Sequence, residues 1–74
     1  MIIMDELNNE LADILEIESI SDDSEFKSCP NWDSLAILSL LAYIDKIYGV
    51  QIYNNELDSI SKLKDLKKLI LEKK

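Results

Sequence analysis

An unusually apolar segment near the middle of the chain constrains its fold more than any other feature. Of the fifteen residues 34–48 only four are polar, and these are Ser34, Ser39, Asp45 and Lys46. Asp33 or Ser34 can cap the start of a helix, and Gly49 is a natural C-terminal stop, so a helix over 34–48 is predicted. A chain of 74 residues cannot surround one helix on all sides. Part of this apolar surface is therefore expected to be a contact site.

Length and composition limit the chain to a small helical domain. At this length, residues 1–74 form one domain that buries roughly 60 to 65% of its unfolded surface around one core. Hydrophobic residues make up 47% of the chain, which has one Gly and one Pro. This composition is too apolar for a disordered chain and too poor in turn formers for a sandwich of short strands. We therefore expect an all-α fold.

The N-terminal third predicts an amphipathic helix followed by a long loop. Apolar residues recur at helical spacing up to a predicted end near Ile17, namely Met4, Leu7, Leu11, Ile14 and Leu15. A coiled coil is the alternative, but the pattern covers two heptads where three or four are needed. Residues 18–33 predict an ordered loop anchored by Ile20, Phe26 and Trp32, and such loops are usually functional. The DDSE run at 22–25 lacks the glycine and ligand spacing of a calcium loop and is interpreted as solvated.

The C-terminal third predicts a short helix and a longer one. After an extended segment over 50–53, Asn54 or Asn55 can cap a single turn through Leu57, and Ser61 can cap a last helix. The residues expected to face inward in this last helix are Leu63, Leu66, Leu69 and Ile70. The residues expected to face outward are Lys62, Lys64, Lys67 and Lys68.

The apolar middle helix can be divided into two faces by its periodicity. The spacing i, i+3, i+4, i+7 and i+11 selects a core stripe of Ile37, Leu40, Leu41, Ile44 and Tyr48. We expect Leu11, Leu15, Leu66 and Ile70 to pack against this stripe. The other side is left with Leu35, Ala36, Leu38, Ser39 and Ala42.

Charge and cysteine content exclude several classes of partner and compartment. The net charge is −7, and polyanions such as nucleic acids and anionic membranes would repel it. The acidity is concentrated in residues 1–34, which carry net −9, whereas residues 35–74 carry net +2. Cys29 has no second cysteine with which to form a disulfide. The opening MIIMDEL does not resemble a signal peptide. No apolar run reaches the ~20 residues of a membrane span. A cytoplasmic protein is expected.

Catalytic chemistry has little support in the sequence. The chain contains no histidine to activate Ser34 as a nucleophile, and its lysines fall on predicted polar faces or in a tail. Neither a glycine-rich phosphate loop nor metal-ligand spacing is present. No basic or histidine neighbour activates the Cys29 thiol for redox chemistry, so we interpret Cys29 as a small loop residue partly packed under Trp32. For Ser34, the simplest interpretation is a helix cap.

The segment WDSLAILSLLAYIDKIYGVQI nevertheless resembles the acyl carrier and peptidyl carrier protein superfamily. The signature of that superfamily is Asp-Ser-Leu at the start of the second helix of a four-helix bundle, and it stands here as Asp33, Ser34 and Leu35. The resemblance extends over nearly the whole chain, because it includes the order of the helices, the acidity and the aromatic-Gly-Val-x-Ile segment at 48–52 that follows the second helix. The implied fold is a bundle of three main helices plus one short helix.

The resemblance implies a function that needs no histidine. In that family a phosphopantetheinyl transferase moves 4′-phosphopantetheine from coenzyme A onto the serine, here Ser34, and the thiol of the arm carries acyl or aminoacyl thioesters. Asp33 would cap the helix and orient the modifying enzyme. Other partners would be an acyl- or aminoacyl-activating ligase and a downstream transferase or synthase, and the carrier would be a monomer. The expected partner surface consists of Trp32, Leu35, Ala36, Leu38, Ser39 and Ala42.

The sequence departs from the family pattern at three places, and these bear on which group the carrier would carry. Asn31 replaces the glycine often found before Asp-Ser-Leu. Trp32 directly precedes the motif, and in this the chain resembles carriers of amino acids or those of stand-alone activation systems more than the fatty-acid synthesis type. Ala36, Ser39 and Ala42 replace the acids that fatty-acid carriers present. The alternative function is a non-enzymatic interaction module in which Ser34 is only a cap and the apolar helix binds a partner helix.

Overall fold

The computed structural model describes residues 4–74, and within this range the chain is a bundle of four α-helices without strands. The helices are α1 (Asp5–Leu15), α2 (Ser34–Tyr48), α3 (Asn54–Asp58) and α4 (Leu63–Lys73). A short 3-10 turn, Phe26–Ser28, interrupts the loop between α1 and α2. The predicted all-α fold with three main helices and a short one is confirmed. The parts of the domain and signal-peptide predictions that concern residues 1–3 lie outside the described residues.

The bounds of α2 are those that the sequence predicted. Asp33 is the N-cap, because its Oδ1 accepts a hydrogen bond from the backbone N–H of Ala36 at 2.9 Å. Gly49 ends the helix in the left-handed conformation, with φ 67°, and its N–H donates to the Asp45 carbonyl at 3.0 Å. Glycine adopts this conformation without the steric cost of a Cβ atom, so the single glycine of the chain fixes the end of α2.

Helix α1 ends two residues earlier than predicted. Glu16 adopts a left-handed conformation with φ 58°. The N–H groups of Glu16 and Ile17 turn back to the carbonyls of Asp13 and Ala12, at 3.1 and 2.9 Å respectively. These two bonds form a Schellman-type helix end. The early end was not predicted because glutamate is an uncommon residue at a position with positive φ.

One hydrophobic core fills the space between the helices. Its helical residues are Leu7, Leu11 and Leu15 of α1, Ala36, Leu40 and Ile44 of α2, Leu57 of α3, and Leu63, Leu66 and Ile70 of α4. Met4, Phe26, Val50 and Ile52 complete it from segments outside the α-helices.

The predicted core stripe of α2 is therefore correct at its centre and wrong at its margins. Leu40 and Ile44 are fully buried, whereas Ile37, Leu41 and Tyr48 are only partly buried against the core. Ala36 is buried on the core side although it was assigned to the outer face. The buried face of α2 thus follows the spacing i, i+4, i+8, and a small residue at position 36 lies where α2 packs closely on the bundle.

The loop before α2 also completes the start of α4. The backbone N–H groups of Leu63 and Lys64 donate to the carbonyls of Ser24 and Asp22, at 3.1 and 2.8 Å. The first N–H groups of a helix have no partner within the helix, so the loop supplies acceptors for two of them. The N-cap is Lys62 and not the predicted Ser61, and Asp65 Oδ2 accepts from the Lys62 N–H at 3.2 Å.

Two further predictions for the C-terminal third need correction. Tyr53, not Asn54 or Asn55, is the N-cap of α3, with its N–H bonded to Glu56 Oε1 at 3.0 Å. Lys67 was expected to face outward, yet it is only 2% exposed and its Nζ lies 2.7 Å from Asp22 Oδ1. A buried ammonium group with a carboxylate partner is stable in the bundle, whereas an isolated one would not be.

Candidate functional site

Ser34 is the first residue of α2 and is exposed at the surface. The cap bond of this helix is made by the Asp33 carboxylate, so the Ser34 hydroxyl is not needed for capping. The interpretation of Ser34 as only a helix cap therefore loses its structural basis.

The first turn of α2 provides backbone donors next to the Ser34 hydroxyl. The N–H groups of Ala36 and Ile37 are taken by the side chain and the carbonyl of Asp33, at 2.9 and 3.0 Å. The two preceding N–H groups, those of Ser34 and Leu35, have no acceptor within the helix. These donors and the positive end of the helix dipole favour an anionic group attached at Ser34.

An open groove lies between the end of α1 and the start of α2, where both chain neighbours of Ser34 line it. It has a volume of about 170 Å³ and is lined by Ile14, Glu16, Asn31, Asp33, Leu35, Ala36 and Ser39. Its lining mixes apolar side chains with an amide, a hydroxyl and two carboxylates. Residues from the C-terminal end of α1 and from the Asp-Ser-Leu motif thus lie together in this groove.

Most of the predicted partner surface is exposed on α2. Leu35 and Leu38 are 71% and 65% exposed, which is unusual for leucine, and Ser39 and Ala42 are exposed beside them. Ala36 does not belong to this surface, because it is 5% exposed and faces the core. The outward ridge of α2 therefore consists of Leu35, Leu38, Ser39 and Ala42, which we call the α2 ridge.

A second open groove follows the C-terminal half of the α2 ridge. It has a volume of about 230 Å³ and is lined by Leu38, Leu41, Ala42, Asp45, Gln51, Ile52 and Tyr53. Tyr53 is 55% exposed at its rim. Exposed apolar side chains thus extend from the Ser34 end of α2 to the start of α3.

Trp32, predicted as a partner contact, also has a packing role. Its ring meets the ring of buried Phe26 edge to face, with centroids 5.1 Å apart. Trp32 and Cys29 are both partly buried against the core, as the interpretation of Cys29 as a packed loop residue requires. The segment just before Ser34 is thereby anchored on the bundle.

Asn31 is a residue of the site that stood out in the sequence only as the replacement of a family glycine. Its Nδ2 donates to the carbonyl of Leu15, the last residue of α1, at 2.7 Å. The partners are separated by 16 positions in the chain. No pattern within the loop signals such a bond, because the acceptor is a backbone group of another element.

Two absences apply to the part of the chain that the structure describes. Among residues 4–74, none of the helices combines the length and apolar character that a membrane span requires. The same residues contain no group of three or more His, Cys, Asp or Glu side chains positioned to share a metal ion.

Comparison with known proteins gives one curated relative. Over 71 residues the chain is 31% identical to Polyketide-8 synthase acyl carrier protein 2 of Streptomyces avermitilis, and the match covers 93% of this chain and 82% of the relative. No protein-family model matches the chain, and no solved structure matches it. With this identity over most of both chains, the chain belongs to the acyl carrier protein family.

Proposed function

We propose that this chain is a discrete carrier that bears 4′-phosphopantetheine on Ser34 and carries acyl thioesters between biosynthetic enzymes. The observation that carries the proposal is the position of Ser34, exposed at the first residue of α2 beside a cap made by another side chain. Membership of the acyl carrier protein family supports it. The alternative of a plain interaction module gives Ser34 no role, since Asp33 makes the cap.

The residues around Ser34 fit the phosphate of such an arm. The N–H groups of Ser34 and Leu35 lack acceptors within α2 and would donate to phosphate oxygens. When attached, the arm supplies a terminal thiol that forms thioesters with acyl groups. The chain itself contributes the attachment oxygen, the helix dipole at that oxygen and the fixed position of the helix start.

The chemistry of attachment and of cargo loading would come from other proteins. With no histidine in the chain, the hydroxyl of Ser34 has no ordinary general base within the domain. We therefore propose a phosphopantetheinyl transferase, an acyl-activating or acyl-transferring enzyme and a downstream synthase as partners. These enzymes would dock on the α2 ridge, whose contacts are apolar and which has no carboxylate of its own.

The curated relative suggests the pathway. Its name places it in a polyketide synthase, so we propose polyketide-type acyl groups as the cargo of this chain. Trp32 pointed to an aminoacyl cargo, but its edge-to-face contact with Phe26 explains the tryptophan as a packing residue. An aminoacyl group is thus the competing cargo that an experiment has to distinguish.

Measurement of the intact mass tests both the attachment of the arm at Ser34 and the identity of the cargo. After incubation with coenzyme A and a broad-specificity phosphopantetheinyl transferase, the wild type should gain one phosphopantetheine and Ser34→Ala none. The control Ser19→Ala, at an exposed serine of the loop before α2, should gain the same mass as wild type. Modification that persists in Ser34→Ala would refute the site, and an unmodified wild type would refute the carrier function. The mass of the chain from its native cells, with the thioester preserved, would then separate an acyl from an aminoacyl cargo.

A further inference from the structure

We infer that Asn31 is a positioning residue for the modification of Ser34, acting through its side-chain bond to the end of α1. The inference rests on the proposed carrier function. It concerns how this chain holds the start of α2 in place.

The bond joins two segments that nothing in the local sequence connects. Asn31 Nδ2 lies 2.7 Å from the Leu15 carbonyl oxygen. The turn that ends α1 uses the carbonyls of Ala12 and Asp13, which accept from Ile17 and Glu16. The Leu15 carbonyl is one of the last four of the helix and has no partner within it, so it is available to the Asn31 amide.

Asn31 is close enough to Ser34 in the chain to control its position. The Trp32 N–H donates to the Cys29 carbonyl at 3.0 Å, which closes a turn around Asn31, and Asp33 then caps α2. Only two residues separate Asn31 from Ser34. A bond that holds the Asn31 side chain on α1 therefore also holds the Ser34 hydroxyl at a defined distance from the C-terminal end of α1.

The contribution of Asn31 is polar rather than hydrophobic. The residue is exposed overall, although its bond to Leu15 is partly buried. Replacing it removes little packed apolar surface, so a change in modification rate can be separated from a loss of core stability. The groove beside Ser34 is lined by Asn31 as well, which places the bond at the wall of the site.

The reaction is sensitive to such positioning. In the transfer, the bond between Ser34 Oγ and phosphorus forms, the P–O bond to adenosine 3′,5′-bisphosphate breaks, and the hydroxyl proton passes to a base of the transferase. Reactive groups must approach in line and at short distance, and a small displacement lowers the rate of the chemical step more than the affinity. Asn31 is not one of the four residues of the α2 ridge, which would bind the transferase.

Steady-state kinetics of phosphopantetheine transfer, followed by intact mass, test the inference. Asn31→Asp keeps the shape but cannot donate, and Asn31→Ala removes the group. For both variants we expect kcat to fall about three- to tenfold, the factor that corresponds to the loss of one hydrogen bond, with KM changing less than about twofold. Asn9→Ala, at an exposed position of α1, should leave both constants unchanged.

A stability-matched control separates positioning from general destabilisation. Leu69→Ala weakens the half-buried side of α4 outside the loop and should lower the melting temperature at least as much as the Asn31 variants, with wild-type kcat. Asn31 variants with wild-type kcat, or a kcat loss that tracks the melting temperature in Leu69→Ala as well, would overturn the inference. A wild type that takes up no phosphopantetheine would refute the carrier function, and this inference with it.

Discussion

The Lys67 ammonium group, 2% exposed, bonds at 2.7 Å to an Asp22 carboxylate whose side chain is 45% exposed. The same carboxylate oxygen accepts from Asn8 Nδ2 at 3.1 Å, and Asn8 Nδ2 also reaches the Ile20 carbonyl at 3.0 Å. Asp22 therefore fastens the acidic loop to α1 through Asn8 and to α4 through Lys67. The prediction of a solvated acidic loop describes Asp23, at 78% exposure, but not Asp22.

The unequal burial of this pair predicts unequal costs of substitution. Asp22→Ala leaves Lys67 buried without its carboxylate and should lower the free energy of unfolding by about 1 to 3 kcal/mol. Lys67→Met removes the buried charge, keeps most of the volume and leaves Asp22 in water, so it should be close to neutral. Urea unfolding followed by circular dichroism measures both.

The double variant is the control for this asymmetry. Asp22→Ala combined with Lys67→Met should be more stable than Asp22→Ala alone, because no unpaired ammonium group remains. Equal losses in the two single variants would show that the pair acts mainly through packing.

The same contact makes stability depend on pH in acid. The Lys67 ammonium first, and the Asn8 amide second, hold the pKa of Asp22 below its ordinary value of 3.8. A carboxylate with a lowered pKa in the folded state stabilises the fold above the ordinary value, and this contribution is lost as the pH falls through the lower folded value. The stability difference between wild type and Asp22→Asn should therefore be full at neutral pH and shrink below about pH 4.

Comparison with that variant is needed because other carboxylates titrate in the same range. Lowered pKa values are also found for Glu6, Glu56 and Asp65. A difference between wild type and Asp22→Asn that stays constant from pH 7 to pH 3 would contradict the assignment to Asp22.

The features that the sequence predicted correctly depend on local chemistry or on a clear helical period. Asp33 and Gly49 define α2 because an N-cap side chain and a left-handed C-terminal residue act within one turn. The exposed positions of Ser34 and of the leucines of the α2 ridge followed from the same segment, and the roles of these residues stay predictions. The resemblance to carrier proteins came from the Asp-Ser-Leu motif and not from the helical periodicity of the apolar residues.

The features that were missed depend on partners distant in sequence. The period of α4 placed Lys67 among outward lysines, and its partner Asp22 is 45 residues away. Ala36 was assigned outward because α2 is apolar on both sides, so that periodicity alone fixes its phase poorly. Asn31 was missed for the same reason as Lys67, since its acceptor is the backbone of α1.

Glu16 is a site where substitution should stabilise the protein. It holds φ 58° at the end of α1, a conformation that costs a non-glycine residue about 1 to 2 kcal/mol. Glu16→Gly removes this strain, offset in part by a more flexible unfolded chain, and should raise stability by about 0.5 to 1 kcal/mol. Thermal melts should show the increase.

Glu16→Ala is the matched control for charge. It removes the carboxylate, which is unfavourable near a helix C-terminus, but keeps a Cβ atom at positive φ. A gain in Glu16→Ala as large as that in Glu16→Gly would assign the effect to charge instead of backbone conformation.

The burial pattern of α2 predicts which of two adjacent leucines supports the core. Leu40→Ala removes a fully buried side chain and should cost about 2 to 5 kcal/mol. Leu41 is partly buried and lines the second groove, so Leu41→Ala should cost clearly less, about 1 kcal/mol. Urea unfolding of the two variants measures the order, and the reverse order would mean that α2 is rotated about its axis.

The α2 ridge predicts how partner enzymes bind and how salt affects them. Contacts through Leu35, Leu38, Ser39 and Ala42 are mainly apolar, so affinity should come from burial, while the acidic residues of α1 and the loop act at a distance by steering cationic partners. At 0.15 M ionic strength the screening length is about 8 Å, so that steering fades while the apolar contact persists. Salt should therefore slow association with a cognate transferase and leave dissociation nearly unchanged.

Substitution of the exposed Ala42 by glutamate tests the same surface directly. Ala42→Glu places a carboxylate in the apolar contact, where binding would strip it of water without a partner, so dissociation from the transferase should accelerate. Asn9→Glu adds the same charge at an exposed position of α1 and should leave dissociation unchanged. Surface-plasmon kinetics at several salt concentrations separate the two rates. If Ala42→Glu has no effect and salt mainly accelerates dissociation, the recognition surface lies on the acidic half of the chain, because only contacts between charges in the bound complex would weaken in that way.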